Sequence, residues 1–420
     1  MILNNNGMKI NLLLFALAFS LLTNAQITDT VSTRASYADQ VWYSLENGEQ
    51  ARSAQDRWDL AFQISGFSAS ILINDGLGAE LYTYPNGDTA AWSTIDTSGL
   101  ASWTPAYNAP SSWDEGAFNR GLDTSNSFDL GWGNYSFITH HVTADSLYVW
   151  KSPNGSLKKI WIERLASGTF HFKHANIDGS NLVQVALAKS NFSGKAFAYY
   201  NIAQDSILDL EPAVSDWDLL FSKYIDFIPV PYSVSGIRTN PNVEVAQVYP
   251  VDPVSYNGYL NANYSDSANV IGYDWKSFDM STFSWQLVDS TVYFIKSDTN
   301  YWKVVMTDFG GSANGNYIFT KELINRSTSL IERNEELGSF ILYPNPAKQR
   351  NISLVTDFNQ SASVQLRIIS LNGQLVQEQS FSANSGMQTQ VFQLNELKAG
   401  VYFVRIEHPK GSLTKKLILK

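Results

Sequence analysis

"RWDLAFQIS" runs from Arg57 to Ser65 and "DWDLLFSKY" from Asp216 to Tyr224. Trp-Asp-Leu-x-Phe therefore occurs twice, headed by Trp58 and by Trp217. The motif has the period-two character of a strand, with Trp58, Leu60 and Phe62 on one side and Asp59 on the other. A true repeat carries further matches in the same order. Upstream, "VWYSLENGEQARSAQDRW" from Val41 has the counterpart "AYYNIAQDSILDLEPAVSDW" from Ala198. Downstream, "NSFDLGWGNYSF" from Asn126 echoes "KSFDMSTFSW" from Lys276. "DSLYVWKSPNGSLKKIWIERL" from Asp145 aligns with "DSTVYFIKSDTNYWKVVMTDF" from Asp289. That sets Tyr148 on Tyr293, Lys151 on Lys296, Lys158 on Lys303 and Glu163 on Asp308. The ordered matches mark two copies of one unit, at 26–192 and 193–326.

The local pattern within a copy is an antiparallel meander. Leu147–Lys151 and Leu157–Leu165 are strands around a Pro153-Asn154-Gly155 turn, and Thr169–Ala175 follows a Ser167-Gly168 turn. Aromatic residues make up 13% of the chain, with 12 Trp and 21 Tyr, and these favour strands. The expected fold is all-β: two tandem antiparallel units followed by a small C-terminal β-sandwich. A net charge of −10 argues against nucleic acid as a partner.

Asp59 and Asp218 could be acids in two catalytic sites. Such a site needs a second carboxylate at a set distance, and none recurs beyond Glu163 and Asp308 on a distant strand. The motif therefore reads as scaffold, with Trp58, Phe62, Trp217 and Phe221 in the core and each Asp tying down a turn.

The ends of the chain carry an address. Lys9 and the apolar run Ile10–Leu22 precede Thr23-Asn24-Ala25, the pattern of a secretory signal over 1–25, with Gln26 first in the mature chain and Met8 an alternative start. No later segment has enough consecutive apolar residues to span a membrane as a helix. There is no cysteine, hence no disulfide, thiolate chemistry or lipoprotein anchor. Gly338–Lys420 holds nine basic and four acidic residues, against 29 and 39 in the whole chain, so a basic domain at 338–420 follows an acidic one across a polar linker at 327–337.

That basic domain opens with Tyr343-Pro344-Asn345-Pro346 and continues through an Asn372-Gly373-Gln374 hairpin. It ends with "LKAGVYFVRIEHPKGSLTKKLILK", which contains Gly400 and Tyr402. Strand alternation alone gives a sandwich of about six or seven strands. The same motifs resemble the type A C-terminal sorting domain of the type IX secretion system of Bacteroidetes. The resemblance implies the type IX machinery as a partner and a secreted or outer-membrane-surface location.

The duplicated unit resembles the HmuY-like family of surface haem-binding proteins. The carriers are the aromatic lead-in, Trp-Asp-Leu-x-Phe, Tyr-Val-Trp-Lys or Tyr-Phe-Ile-Lys, and a Lys-initiated strand. "GIRTN" (236–240) and "SILIND" (70–75) hold corresponding places. The resemblance implies an all-β fold and haem as a candidate cofactor. Founding members hold haem between two His, whereas here His140 and His141 stand near one ligand position and nothing fills the other. His171 and His174 point to opposite strand faces.

Trp92, Trp103 and Trp113, with Tyr107, lie in one long Ser/Pro/Gly-rich segment. They would either stack a ligand or fold over the sheet as a lid. The sequence expectation is a binding protein without catalytic motifs. Its candidate contacts are Trp103, Tyr107, Trp113, His140 and His141, for a porphyrin or other small aromatic ligand. The alternative is an adhesin or glycan binder using the Trp-rich loop.

Overall fold

The computed structural model describes residues 26–325 and 339–420, apart from 66–68, 298–299, 349, 359–360, 372, 395–396 and 409–410. The signal segment 1–25 and the linker 327–337 lie outside the described residues. The fold is all-β. Among the described residues the one α-helix is the four-residue turn Gly311–Asn314.

Eleven strands form the first repeat: β1 (Ile27–Ser32), β2 (Asp39–Ser44), β3 (Gly48–Ala54), β4 (Leu60–Gln63), β5 (Ile71–Ile73), β6 (Glu80–Thr83), β7 (Gly133–Tyr135), β8 (Val142–Ala144), β9 (Tyr148–Lys151), β10 (Leu157–Ala166) and β11 (Thr169–Asn176). Eleven more form the second, which opens ahead of residue 193 because β12 is the counterpart of β1: β12 (Val183–Ala188), β13 (Phe197–Asn201), β14 (Ser206–Leu208), β15 (Leu219–Phe227), β16 (Pro231–Thr239), β17 (Val243–Val248), β18 (Lys276–Asp279), β19 (Ser284–Leu287), β20 (Val292–Ser297), β21 (Asn300–Phe309) and β22 (Asn316–Asn325).

The repeats do not pack as two separate units. In the first sandwich the sheet β14-β13-β4-β5 faces a sheet running β12-β11-β10, extended by β8-β7 and by β9-β6. In the second, β16-β15-β2-β3 faces β1-β22-β21-β20-β17. The first sandwich is contiguous in sequence, but the second is completed by β1–β3 from the far N-terminus. The division into 26–192 and 193–326 thus cuts across both sandwiches. The physical reason is that each repeat opens with three strands whose apolar faces are buried in the other repeat's sandwich.

Side-chain alternation fixes the layer order. On β4, Leu60 and Phe62 enter the first core while Ala61 faces the other way. On β15, Leu219 and Phe221 enter the second core while Leu220 faces the other way. On β13 and β2, Tyr199 and Trp42 likewise turn away from the cores that hold Tyr200 and Tyr43. The outward set meets in a middle cluster that joins the two inner sheets back to back. Strands buried on both faces read as nearly continuous apolar runs, which is why the Trp-Asp-Leu-x-Phe stretches do so.

Three details of the sequence reading are corrected. Asn126 does not stand with Lys276, since Trp132 before β7 matches Trp275 before β18. Trp58 does not share a side with Leu60 and Phe62. It precedes β4 and packs in the middle cluster, as Trp217 does before β15. The β9–β10 turn is one residue longer than the β20–β21 turn, since Lys151 pairs Leu157 whereas Lys296 pairs Tyr301. The true equivalents are therefore Lys159 with Lys303 and Lys158 with Trp302. After the matching bulges, Arg164 rather than Glu163 stands with Asp308.

The sorting domain is a sandwich of β23 (Ser339–Tyr343), β24 (Asn351–Phe358) and β27 (Gly386–Gln393) against β25 (Ala362–Ser370), β26 (Leu375–Ala383), β28 (Gly400–His408) and β29 (Gly411–Leu419). It rests on the first sandwich. Val355 and Met387 join that core, and Lys189 pairs with Asp357 at 2.8 Å with both side chains buried.

Candidate functional site

The two Trp-Asp motifs are built alike. A single 3-10 turn, Gln55–Arg57 or Val214–Asp216, delivers each tryptophan. The Asp59 amide donates to Tyr200 O at 2.9 Å and the Asp218 amide to Tyr43 O at 2.8 Å. Asp59 Oδ2 accepts the Ile202 amide at 2.7 Å, and Asp218 Oδ2 the Leu45 amide at 2.7 Å. Asn74 Nδ2 donates to Gln55 O and Trp58 O, and Asn240 Nδ2 to Val214 O and Trp217 O. Each aspartate thus ties the turn of the other repeat's lead-in hairpin to its own strand.

The copies then diverge. Ser297 Oγ donates to Asp218 Oδ1 at 2.5 Å. Its counterpart Ser152 donates instead to Asn154 Oδ1 at 2.5 Å. Among the described residues, the Ile202 amide is the sole hydrogen bond to the Asp59 carboxylate. Burial raises the Asp59 pKa and that amide opposes the rise. Over Asp218 the space is a polar cleft of about 210 Å³ bounded by Trp302. Over Asp59 it is a cleft of about 430 Å³, lined by Trp58, Trp150, Pro153, Asn154 and Lys158. Trp302 is in the second core, whereas Lys158 at the equivalent place reaches Asn176 Oδ1 at 2.8 Å. Lysine for tryptophan opens the first cleft. The result is an apolar hollow with a half-satisfied carboxylate on its floor and an ammonium and an amide at its rim.

The residues expected to bind a ligand do not converge there. Trp103 packs edge-on against Tyr82 and Tyr84, at 6.3 and 5.8 Å. Tyr107 donates to Glu80 Oε1 at 3.4 Å, and burial with that carboxylate pushes its hydroxyl up to about 12. Trp113 lies between the sandwiches, donating to Thr239 O at 2.8 Å under the Arg238 guanidinium. The long loop is a lid. Buried Lys159 donates to Trp92 O at 2.9 Å to hold it down, and Lys303 does the same to Val254 O of the Tyr-rich loop at 3.3 Å. His140 Nδ1 meets the Tyr135 hydroxyl at 3.1 Å, beside the sorting domain's Thr389, and His141 is half-buried next to it. His174 is buried against the Tyr200 hydroxyl at 2.9 Å, and burial lowers its pKa.

Of the cleft residues, Trp150 and Lys158 were visible in sequence only as members of a repeat. The one-residue difference in turn length hid the lysine-for-tryptophan exchange, because an ungapped alignment pairs Lys158 with Lys303.

In the sorting domain, Asn345 Nδ2 donates to Lys416 O and its Oδ1 accepts the Ile418 amide, which ties the Tyr343–Pro346 entry to the last strand. Tyr402 donates to Lys398 O at 3.0 Å, and Gly373 takes the left-handed backbone its turn requires, at φ 83°.

Residues 341–420 match the secretion system C-terminal sorting domain family. The protein is exported by the type IX secretion system to the cell surface or beyond, and its sorting domain engages that machinery. Among the described residues no helix is long and apolar enough to cross a membrane. No curated protein matches the chain. Among solved structures it is similar to dimeric latent PorU from Porphyromonas gingivalis, at 10% identity and a TM-score of 0.17, over 67% of this chain and 32% of that one. It is also similar to a truncated trimeric ectodomain of the C. elegans fusion protein EFF-1, at 7% identity and a TM-score of 0.18, over 66% and 68%. The chain spans about a third of the PorU structure. Neither likeness is close enough to bear on fold or function.

Proposed function

We propose that this protein is an exported surface-binding protein, without catalytic activity, that holds a hydroxylated ring such as a sugar in the cleft above Asp59. The observation that supports this reading is the divergence between the copies. One aspartate is satisfied by a serine beneath a tryptophan, while the other keeps acceptor capacity at the floor of an open hollow. A volume of about 430 Å³ is within the range of small-ligand clefts, with apolar walls and a few placed polar groups. Asp59 would accept a ring hydroxyl, Lys158 and Asn154 would donate at the rim, and the tryptophan edges would cover the apolar ring face.

A porphyrin, the ligand implied by the HmuY-like resemblance, asks for axial donors. No histidine lines this cleft, so that reading rests on the resemblance alone. A glycan array with the full chain, followed by calorimetry on the hits, tests the proposal. Binding that Asp59→Asn weakens at least tenfold is expected. A glycan that binds the variant as well as the parent would reject the site, and haem binding in its place would favour the porphyrin.

A further inference from the structure

The second sandwich carries a different cleft, beside a hairpin that the two repeats place differently. Trp132 and Trp275 each directly precede a short hairpin, β7–β8 or β18–β19, and both are buried. The residue after Trp132 is Gly133, where a Cβ would stand 2.4 Å from Thr143 O. The residue after Trp275 is Lys276. In the second repeat the hairpin does not join the outer sheet, since β18 pairs only with β19. It packs Trp285 and Leu287 onto the second core and leaves a cleft of about 460 Å³ beside it.

That cleft is walled by Tyr37, Tyr232, Tyr273, Phe278 and Trp285, and its one charged lining residue is Lys276. Phe278 and Tyr232 are 43% and 62% exposed, so ring surface is open to a ligand. The lysine itself is nearly buried. Its Nζ donates to Ser235 O at 2.8 Å and Tyr273 O at 3.2 Å, leaving one of three N–H groups. The rings of Trp275 and Phe309 lie 4.4 and 4.5 Å from it. Among the described residues no carboxylate comes within ion-pair distance of Lys276. A buried ammonium without a counter-ion is costly, and an arriving anion would supply one.

We propose that this cleft is a second binding site, separate from the one above Asp59, for a ring that carries a carboxylate. The ring stacks on Tyr232 and Phe278, and the carboxylate takes the remaining N–H of Lys276. Aromatic acids and acidic sugars share this chemistry.

Binding to the charged lysine also sets a pH dependence. Burial pulls the Lys276 pKa down to about 7, opposed by the Asp274 carboxylate. The other titratable groups facing the cleft are Tyr37, Tyr232, Tyr273 and Tyr317, and burial pushes Tyr37, Tyr273 and Tyr317 upward, away from the range in which the lysine titrates. The anion stabilises the ammonium. Affinity is therefore highest below pH 7 and falls as pH rises above it, with a proton taken up on binding at pH 8.

Calorimetry on the full chain at pH 6 tests the proposal, with indole-3-acetate and galacturonate as the two acids and indole-3-acetamide and galactose as neutral counterparts. One acid should bind at least tenfold more tightly than its counterpart, and which one does identifies the source. Lys276→Met should lose that preference while Asp59→Asn keeps it, so this site stands or falls apart from the first cleft. Should Lys276→Met not fold, Tyr232→Ala at the exposed rim should weaken the acid at least fivefold. Equal binding of acid and neutral forms, no binding of either acid, an unchanged preference in a folded Lys276→Met variant, or undiminished affinity for the acid in Tyr232→Ala would overturn it.

Discussion

Asp59 and Asp218 sit in frames whose backbone hydrogen bonds agree, yet one opens on a larger apolar cleft and the other on a small polar one. In the second copy a serine and a tryptophan complete the site, and the aspartate serves the fold alone. In the first copy the serine has turned to Asn154 and a lysine stands in place of the tryptophan, so the same scaffold presents a carboxylate to a hollow. On the function proposed above, a repeated motif is scaffold in both copies and a binding surface in one. The difference lies in the residues around the motif.

The largest effect expected follows from the shared strands. Removing 26–54 takes away β1, β2 and β3, and with them two edges of the second sandwich. It also removes Tyr43, whose hydroxyl bridges Lys321 and Asp29 at 2.5 Å to each. Proteolysis of the truncated chain should digest the second sandwich while leaving the contiguous first one protected. Equal protection of both would show that the N-terminal strands are not needed for closure.

Next in size are the two tryptophans. Trp58→Ala and Trp217→Ala each empty a buried position in the middle cluster and should cost about 3–5 kcal/mol in denaturant unfolding. They should differ in binding. Trp58 lines the open cleft, so its loss should also weaken the ligand under conditions where the variant is folded. Trp217→Ala should leave affinity unchanged.

Smaller still is the aspartate pair. Asp218→Ala removes the acceptor of two hydrogen bonds, from the Leu45 amide and the Ser297 hydroxyl, while Asp59→Ala removes that of the Ile202 amide alone. At about 1–3 kcal/mol per lost bond to a buried group, Asp218→Ala should be the more destabilising by at least about 1 kcal/mol. Equal losses would mean that the second copy's serine contributes nothing.

A further effect is on pH dependence. Burial pushes Asp75 and Glu211 up to about 7, so the folded chain keeps protons that the unfolded chain releases near pH 4. Stability should fall as pH rises from about 4 to about 7. Lys276, pulled down to about 7, acts oppositely, and its contribution makes stability rise between about 7 and 10.5. Melting temperatures across pH 5 to 9 should show the descent, and Asp75→Asn should flatten it. Asp75 directly follows Asn74, whereas Pro241 follows the equivalent Asn240.

Much of the fold was legible in sequence. Period-two alternation identified the β9, β10 and β11 meander, and the Asn372-Gly373 hairpin and terminal strands identified the sorting domain. The exchange of strands between repeats was not legible, because alternation says that a strand is buried and leaves open against which sheet. The loop tryptophans drew attention by their cost in solvent, but Trp92 and Trp103 meet that cost by packing on the outer sheet and Trp113 by filling the gap between sandwiches. The cleft was hidden for a smaller reason. A turn longer by one residue moved Lys158 out of register with Trp302, and the exchange that opens the site cannot be read until strand pairing restores the register.

The most direct measurement is calorimetry on Lys158→Trp, which gives the first cleft its twin's closing residue. The glycan bound by the parent chain should lose at least tenfold in affinity, with the melting temperature held or raised by the added apolar contact. Undiminished binding in a folded Lys158→Trp variant would contradict the claim that the open copy is the binding copy.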